Sequence, residues 1–225
     1  MSKFYVVGTP IGNLEDITYR AVRILGEVDL ILCEDTRVTR NLLDRYNIKI
    51  PTMSYHAQSK ISKADKILEL IGEGKNLALV SDAGTPTISD PGSLLISQIK
   101  GSYPETEVIV IPGPSAVISA LSISGVSVAE FIFLGFLPHK KGRETLFKEI
   151  AVSERLMVFY ESPHRIIKTL ESLEKFSPNK KVIIARELTK IYEQIVSGTV
   201  LEVKKYFNDN PDKVRGEFVV MVSNN

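Results

Sequence analysis

N-L-A-L-V, Asn76 to Val80, runs directly into S-D-A-G-T-P-T-I-S-D-P-G, Ser81 to Gly92. An apolar run that stops at a cluster of Gly, Pro, Asp, Ser and Thr reads as a buried strand with a loop at its carboxyl end. The same punctuation recurs along the first half of the chain. Phe4 to Val7 leads into Gly8-Thr-Pro-Ile-Gly12, and Asp29 to Cys33 into Glu34-Asp-Thr-Arg37. Val108 to Ile111 leads into Pro112-Gly-Pro-Ser-Ala116, with Ser115 placed to cap the helix that follows.

Helical spacing fills the intervals. Ile17, Ala21, Ile24, Leu25 and Val28 share one face, and a second helix spans about Thr36 to Tyr46. Ile61, Ala64, Leu68 and Ile71 mark a third, and a fourth follows the loop from about Gly92 to Ile99. Strands alternating with helices imply βαβ crossovers and a mainly parallel sheet, with Phe131 to Leu134 as a candidate fifth strand. The second half reads as strand Glu154 to Tyr160, helix Pro163 to Phe176 and strand Lys181 to Ala185. A strand with a turn follows at Glu193 to Val200, and a last strand at Gly216 to Val222. Gly135-Phe-Leu-Pro-His-Lys-Lys-Gly-Arg143 punctuates the middle, which places two α/β domains at 1–135 and 136–225.

The 225 residues are 44% hydrophobic and 24% charged, an ordinary balance for a globular chain with a full core. A net charge of +1 means that any nucleic-acid contact must come from a local patch. The single cysteine, Cys33, excludes an internal disulfide and reads as a buried strand thiol within L-I-L-C. M-S-K-F-Y-V-V-G lacks the pattern of a secretory leader, and no apolar run reaches membrane-spanning length. A cytoplasmic protein with no membrane partner is expected.

Ligands of open parallel sheets sit beyond the carboxyl ends of the strands, where this sequence concentrates glycine and proline. One such loop would be a turn; several at one edge suggest a pocket. Neither G-x-x-x-x-G-K-[ST] nor G-x-G-x-x-G occurs, and acidic Asp82 and Asp90 would repel a phosphate. A phosphate-free ligand with ribose hydroxyls or a positive centre is expected. His56, His139 and His164 lack partners at metal-ligand spacing, so no metal is expected, and no G-x-S-x-G elbow marks a serine hydrolase.

V-G-T-P-I-G-N-L-E-D-I-T, E-D-T-R-V-T-R-N-L-L, S-D-A-G-T-P-T-I-S-D-P-G, P-G-P-S-A, G-F-L-P, E-S-P-H-R and R-E-L-T-K occur in this order over essentially the whole chain. Together they resemble the tetrapyrrole-methylase superfamily, and more closely its ribosomal RNA branch. The S-D-A-G-T-P run stands where tetrapyrrole-acting members usually carry a G-D-P-type sequence. The resemblance implies S-adenosylmethionine held in a cleft between the two α/β domains. It also implies a homodimer, and methyl transfer to the ribose 2′-oxygen of a cytidine in the decoding region of 16S rRNA, within the small ribosomal subunit. By position it points to Pro10, Asp82, Ala83, Gly84, Ser115 and Ala116 as cofactor contacts from the first domain. Tyr160, Ala185, Gly216 and Glu217 are the corresponding contacts from the second.

A ribose hydroxyl is a weak nucleophile, so a nearby base or cation would assist its attack. Candidates are Glu34 with Asp35, Glu161, and the pair Glu187 with Lys190, with Lys190 and Glu34 favoured. An ordinary ion pair between Glu187 and Lys190, on one side of a helical turn, is the competing reading. Arg37 and Arg40, Lys140, Lys141 and Arg143 beside His139, and Arg165 supply local positive charge for RNA phosphates. Phe136 and Tyr55 are candidates to stack a base, although core packing is the commoner fate of such aromatics. A methyltransferase of a macrocyclic or protein substrate, and a non-catalytic RNA- or nucleotide-binding regulator, are the alternatives.

Overall fold

The computed structural model of the protein describes residues 2–56, 61–88 and 92–224. The chain divides into two units, Met1–Ser115 and Ala116–Asn225. In the first, β1 (Lys3–Val7), β2 (Leu30–Cys33), β3 (Thr52–Ser54), β4 (Leu77–Leu79) and β5 (Glu107–Ile111) form one sheet in the order β3-β2-β4-β1-β5. Every pairing in it is parallel. Helices α1 (Tyr19–Glu27), α2 (Thr36–Arg45), α3 (Ile61–Gly72) and α4 (Ser93–Ser102) make the crossovers.

Alternation along the strands sorts the helices onto two faces. Val7, Ile31, Cys33, Ala78 and Val80 pack with Ala21, Ile24 and Leu25 of α1 and Leu43 of α2. Their neighbours Phe4, Val6, Leu32, Leu77 and Leu79 pack with Ile67 and Ile71 of α3 and Leu95 and Ile99 of α4. A strand buried on both faces must be apolar at every position, which is why these runs are continuous. Thr18 and Asp35 start α1 and α2 by accepting from the main-chain N–H of Ala21 and Arg37.

In the second unit, α5 (Ala116–Ser122) precedes β6 (Phe131–Phe136), α6 (Arg143–Val152), β7 (Leu156–Glu161) and α7 (Ile166–Phe176). β8 (Lys181–Arg186), β9 (Gln194–Thr199), α8 (Val200–Asp209) and β10 (Phe218–Ser223) complete it. The sheet order is β6-β7-β10-β8-β9. Only β6–β7 is parallel; β10 runs antiparallel to β7 and β8, and β9 to β8. Phe147 and Ile150, Leu170 and Leu173, and Val203 and Phe207 bring α6, α7 and α8 onto one face of this sheet.

Two differences from the sequence reading have physical causes. Phe131–Phe136 pairs with β7, so it belongs to the second sheet rather than serving as a fifth strand of the first. The division accordingly falls at 115/116, earlier than the expected 135/136. Helices α6 and α8 add to the expected elements, and α8 opens on a full capping box between Thr199 and Glu202. Among the described residues, no helix is long and apolar enough to cross a membrane.

Phe207 is fully buried, with its ring edge-on to Phe218 at 5.9 Å. Phe207→Ala is expected to lower unfolding free energy by about 3–5 kcal/mol, read from the urea midpoint at constant m-value.

Candidate functional site

Parallel register places the carboxyl ends of β2, β4, β1 and β5 side by side, and the loops leaving them are bonded to one another. Thr9 and Gly84 exchange main-chain hydrogen bonds at 2.9 and 3.1 Å. The Thr9 hydroxyl also reaches the carbonyls of Ser81 and Gly84. Gly8 N–H donates to Ile111 O, and a Cβ on Gly8 would come within 2.8 Å of the Gly113 backbone. Only paired glycines allow that approach. Asp35 N–H donates to Asp82 Oδ1 at 3.0 Å, joining the β2 and β4 loops.

Pro10, Asp82, Ala83 and Gly84 are therefore gathered at one edge, where Asp82 and Ala83 are exposed and Pro10 and Gly84 buried. Ser115 follows Pro114, whose carbonyl accepts from the Thr85 hydroxyl at 3.4 Å, and Ala116 begins α5 in the second unit. Thr9, which ties two of these loops together, is not among the residues singled out by sequence, where only its place between Gly8 and Pro10 marks it. Asp90 lies outside the described residues.

Glu34 is half-buried at the start of the β2 loop. Beside it, Arg37 forks onto Asp35 at 2.5 to 3.2 Å, and those bonds hold the Asp35 carboxyl down at about 2. Arg40 is exposed on α2. Cys33 is buried, and loss of solvent pushes its thiol pKa up, so it is no nucleophile at neutral pH. Tyr55 packs in the core beneath α3, which removes it as a base-stacking surface.

In the second unit, Glu187 and Lys190 do come together, but not on a helix. Glu187 and Thr189 have positive φ, of 52° and 64°, in the connection between β8 and β9. Lys190 Nζ donates to Glu187 Oε1 at 3.0 Å and to Glu217 Oε2 at 2.9 Å. Glu217 N–H donates to the same Glu187 oxygen at 3.0 Å. Gly216, itself at φ 86°, passes so close that a Cβ there would lie 2.3 Å from the Glu187 carboxyl carbon. Burial alone would raise Glu187, but the bonds from Lys190 and Glu217 and the charges of Lys190 and Arg186 outweigh it, and its pKa is lowered. Burial likewise opposes the Lys190 charge, and the bonds to Glu217 and Glu187 outweigh it and raise its pKa. At neutral pH Lys190 is a cation held by two carboxylates, not a base.

Ala185 is buried within the sheet, opposite Val219 and Ile195. Tyr160 is half-buried, with the Phe133 ring edge-on at 5.0 Å and the Phe136 ring tilted at 5.3 Å. Phe136 itself is 61% exposed and opens the segment that carries exposed His139, Lys140 and Lys141.

Arg143 and Arg165 are in a different situation. Their side chains are 17% and 15% exposed and face Glu161, whose side chain is fully enclosed. Glu161 accepts from Ser162 N–H, Arg165 Nε and the Thr169 hydroxyl at 2.6 to 2.9 Å. With those acceptor sites filled, Glu161 is not a candidate base. Among the described residues, no cluster of His, Cys, Asp and Glu could hold a metal ion.

A model of the tetrapyrrole (corrin/porphyrin) methylases matches residues 3–204. A Thermotoga maritima protein named ribosomal RNA small subunit methyltransferase I is 45% identical over 223 residues, 99% of both chains. Proteins of the same name are 46% identical in Hydrogenobaculum sp., over 98% of this chain and 95% of that protein, and 43% identical in Bacillus subtilis, over 100% and 77%. Among solved structures, the methyltransferase CobJ is similar with a TM-score of 0.70 at 21% identity, covering 100% of this chain and 95% of that one. Uroporphyrin-III-C-methyltransferase from Thermus thermophilus gives 0.66 at 17%, covering 98% and 94%. At those identities the structures speak for the fold alone.

Because Glu187 titrates lower in the folded protein, its contribution to stability is present above its ordinary pKa of about 4.3 and is lost as pH falls through the lower folded value. The stability difference between wild type and Glu187→Gln should hold steady from neutral pH down to that range and then shrink. Urea midpoints across the series read it, and a difference constant into strong acid would show that the Lys190 pair contributes nothing.

Proposed function

This chain belongs to the tetrapyrrole methylase family, and from that premise we propose that it transfers a methyl group from S-adenosylmethionine to the ribose 2′-oxygen of a cytidine in the decoding region of 16S rRNA. What carries the reading is the near full-length identity to proteins named for small-subunit ribosomal RNA methylation. The assembled small subunit, met in the cytoplasm, is the proposed substrate. A homodimer is the proposed form, which would give cover to Val110, 60% exposed on the open edge strand β5.

The strand-end residues fit the cofactor's chemistry. A sulfonium carries positive charge and no phosphate, and the first unit's rim presents the exposed Asp82 carboxylate with closely packed backbone around Gly84. We assign Pro10, Asp82, Ala83, Gly84, Ser115 and Ala116, with Tyr160, Ala185, Gly216 and Glu217, to holding it. When bound, it supplies an electrophilic methyl group and a neutral thioether leaving group.

Positioning carries much of such a displacement, since alignment alone can recover about 7–11 kcal/mol of barrier. Lys190, kept protonated by Glu187 and Glu217, is assigned to stabilise the negative charge that grows on the 2′-oxygen. Glu34 is assigned to take the hydroxyl proton. Arg37, Arg40, Lys140 and Lys141 hold RNA phosphates, and Phe136 offers a ring for stacking.

The test is methyl transfer from labelled S-adenosylmethionine to small subunits lacking the modification, with the RNA digested to nucleosides for mass spectrometry. 2′-O-methylcytidine is the expected product. Cofactor binding without transfer would turn the search to macrocyclic or protein substrates, and no cofactor binding would favour a non-catalytic binder. Lys190→Met is expected to lower kcat by about 10²-fold or more.

A further inference from the structure

The segment between β6 and α6 is anchored at several points. Leu137 is buried in the core of the second unit, so the segment is rooted there by its side chain. Arg165 Nη1 donates to Leu137 O at 2.9 Å, and Arg143 Nη1 to Pro138 O at 3.3 Å. Both guanidinium groups turn back to one enclosed carboxylate: Arg165 Nε donates to Glu161 Oε1 at 2.6 Å, and Arg143 Nη2 lies 3.9 Å from Glu161 Oε2. Thr169 closes the circuit, donating to Glu161 Oε2 and accepting from Arg143 Nη2 at 2.6 and 2.7 Å.

Each of the two arginines therefore places two of its five N–H donors on internal acceptors. Arg143 also lies over the Phe147 ring at 5.0 Å, a cation–π contact. Immediately after the two gripped carbonyls in the chain come exposed His139, Lys140 and Lys141, and immediately before them exposed Phe136. A flexible lysine-bearing loop would lose side-chain and backbone freedom on meeting a ligand; one gripped at its base has much less to lose.

We propose that Glu161, with Arg143, Arg165 and Thr169, is a positioning device for RNA: it holds the Phe136–Lys141 segment in the conformation that receives a single-stranded stretch of the substrate. Arg143 and Arg165 act through the loop and do not touch phosphate. This rests on the RNA reading given above, with Lys140 and Lys141 on phosphates and Phe136 against a base.

Glu161→Gln separates this from simple electrostatics. Replacing a carboxylate by a neutral amide next to an RNA-binding loop raises the net positive charge, which by charge alone would tighten binding. If Glu161 positions the loop, binding weakens instead. The slope of log K against log salt should also become shallower by about 0.7 for each phosphate that the loop no longer reaches. Cofactor affinity, which involves other residues, should stay the same. Thr169→Val, nearly isosteric, removes the hydroxyl link with less disturbance and is expected to weaken RNA binding in the same direction by a smaller factor. Arg165→Lys keeps the charge but not the fork, and should weaken binding rather than act as a conservative change.

The measurements are binding of a fluorescent single-stranded 16S rRNA fragment and of small subunits over a salt series, with cofactor binding and thermal unfolding run on each variant. Weaker RNA binding with a shallower salt slope and unchanged cofactor affinity supports the proposal. RNA binding equal to or tighter than wild type in Glu161→Gln, or in Thr169→Val should the former fail to fold, overturns it. RNA and cofactor affinities falling in step with the melting temperature in both variants also overturn it, because the network would then serve only the fold. Wild-type protein that binds neither RNA overturns the RNA reading itself, and this inference with it.

Discussion

Gly8 and Gly113 leave no room for a side chain between them, and the loop edge of the first unit depends on that close approach. With the two backbones in touch, the β1 and β5 loops meet directly, and the paired Thr9–Gly84 bonds draw the β4 loop to the same place. The Asp35–Asp82 bond adds the β2 loop. Each link is a main-chain or short side-chain hydrogen bond that must be satisfied somewhere once water is excluded. Loops that satisfy one another in this way are held before any ligand arrives, so little order remains to be imposed on binding.

The second unit solves a different problem with charge. Exposed pairs such as Arg23–Glu27 and Arg155–Glu130, one in each unit, contribute little, because water screens them. Glu161 is enclosed, and an enclosed carboxylate is tolerable only when its oxygens are fully bonded. Removing one partner from such a group costs about 3–5 kcal/mol, so the arginines around it are not free to leave. The Glu187–Lys190–Glu217 cluster lies between these limits: partly exposed and ion-paired, it holds a lysine charged across the neutral range. The second unit therefore contains cations with three different degrees of commitment, from exposed Lys140 and Lys141 to largely buried Arg143 and Arg165.

Local pattern is enough for some of this and not for the rest. Continuous apolar runs between helical spacings indicate a parallel sheet covered on both faces, because such strands have no polar side to show. The glycine and proline clusters indicate where the loops leave the sheet, because few other residues fit those turns. Helix α8 is not legible in this way: the β-branched run before it carries a strand-like pattern up to Val200 and hides the Thr199–Glu202 capping box that opens the helix. β6 goes to the wrong sheet on pattern alone, because a parallel strand in either sheet presents the same composition, and only its pairing with β7 tells them apart.

The sequence alone determined the family, the open-sheet architecture of the first unit and the edge at which its loops gather. Each of these follows from residue type and order along the chain. Tertiary structure decided which charges are available. Lys190 and Arg165 look alike in sequence as cations within motifs. Only the fold shows Lys190 drawn to two carboxylates at a turn of positive φ, and Arg165 turned inward onto Glu161 and the Leu137 carbonyl. A cation's partner is set by distance in space, and Leu137 and Arg165 meet only when β6 and β7 pair.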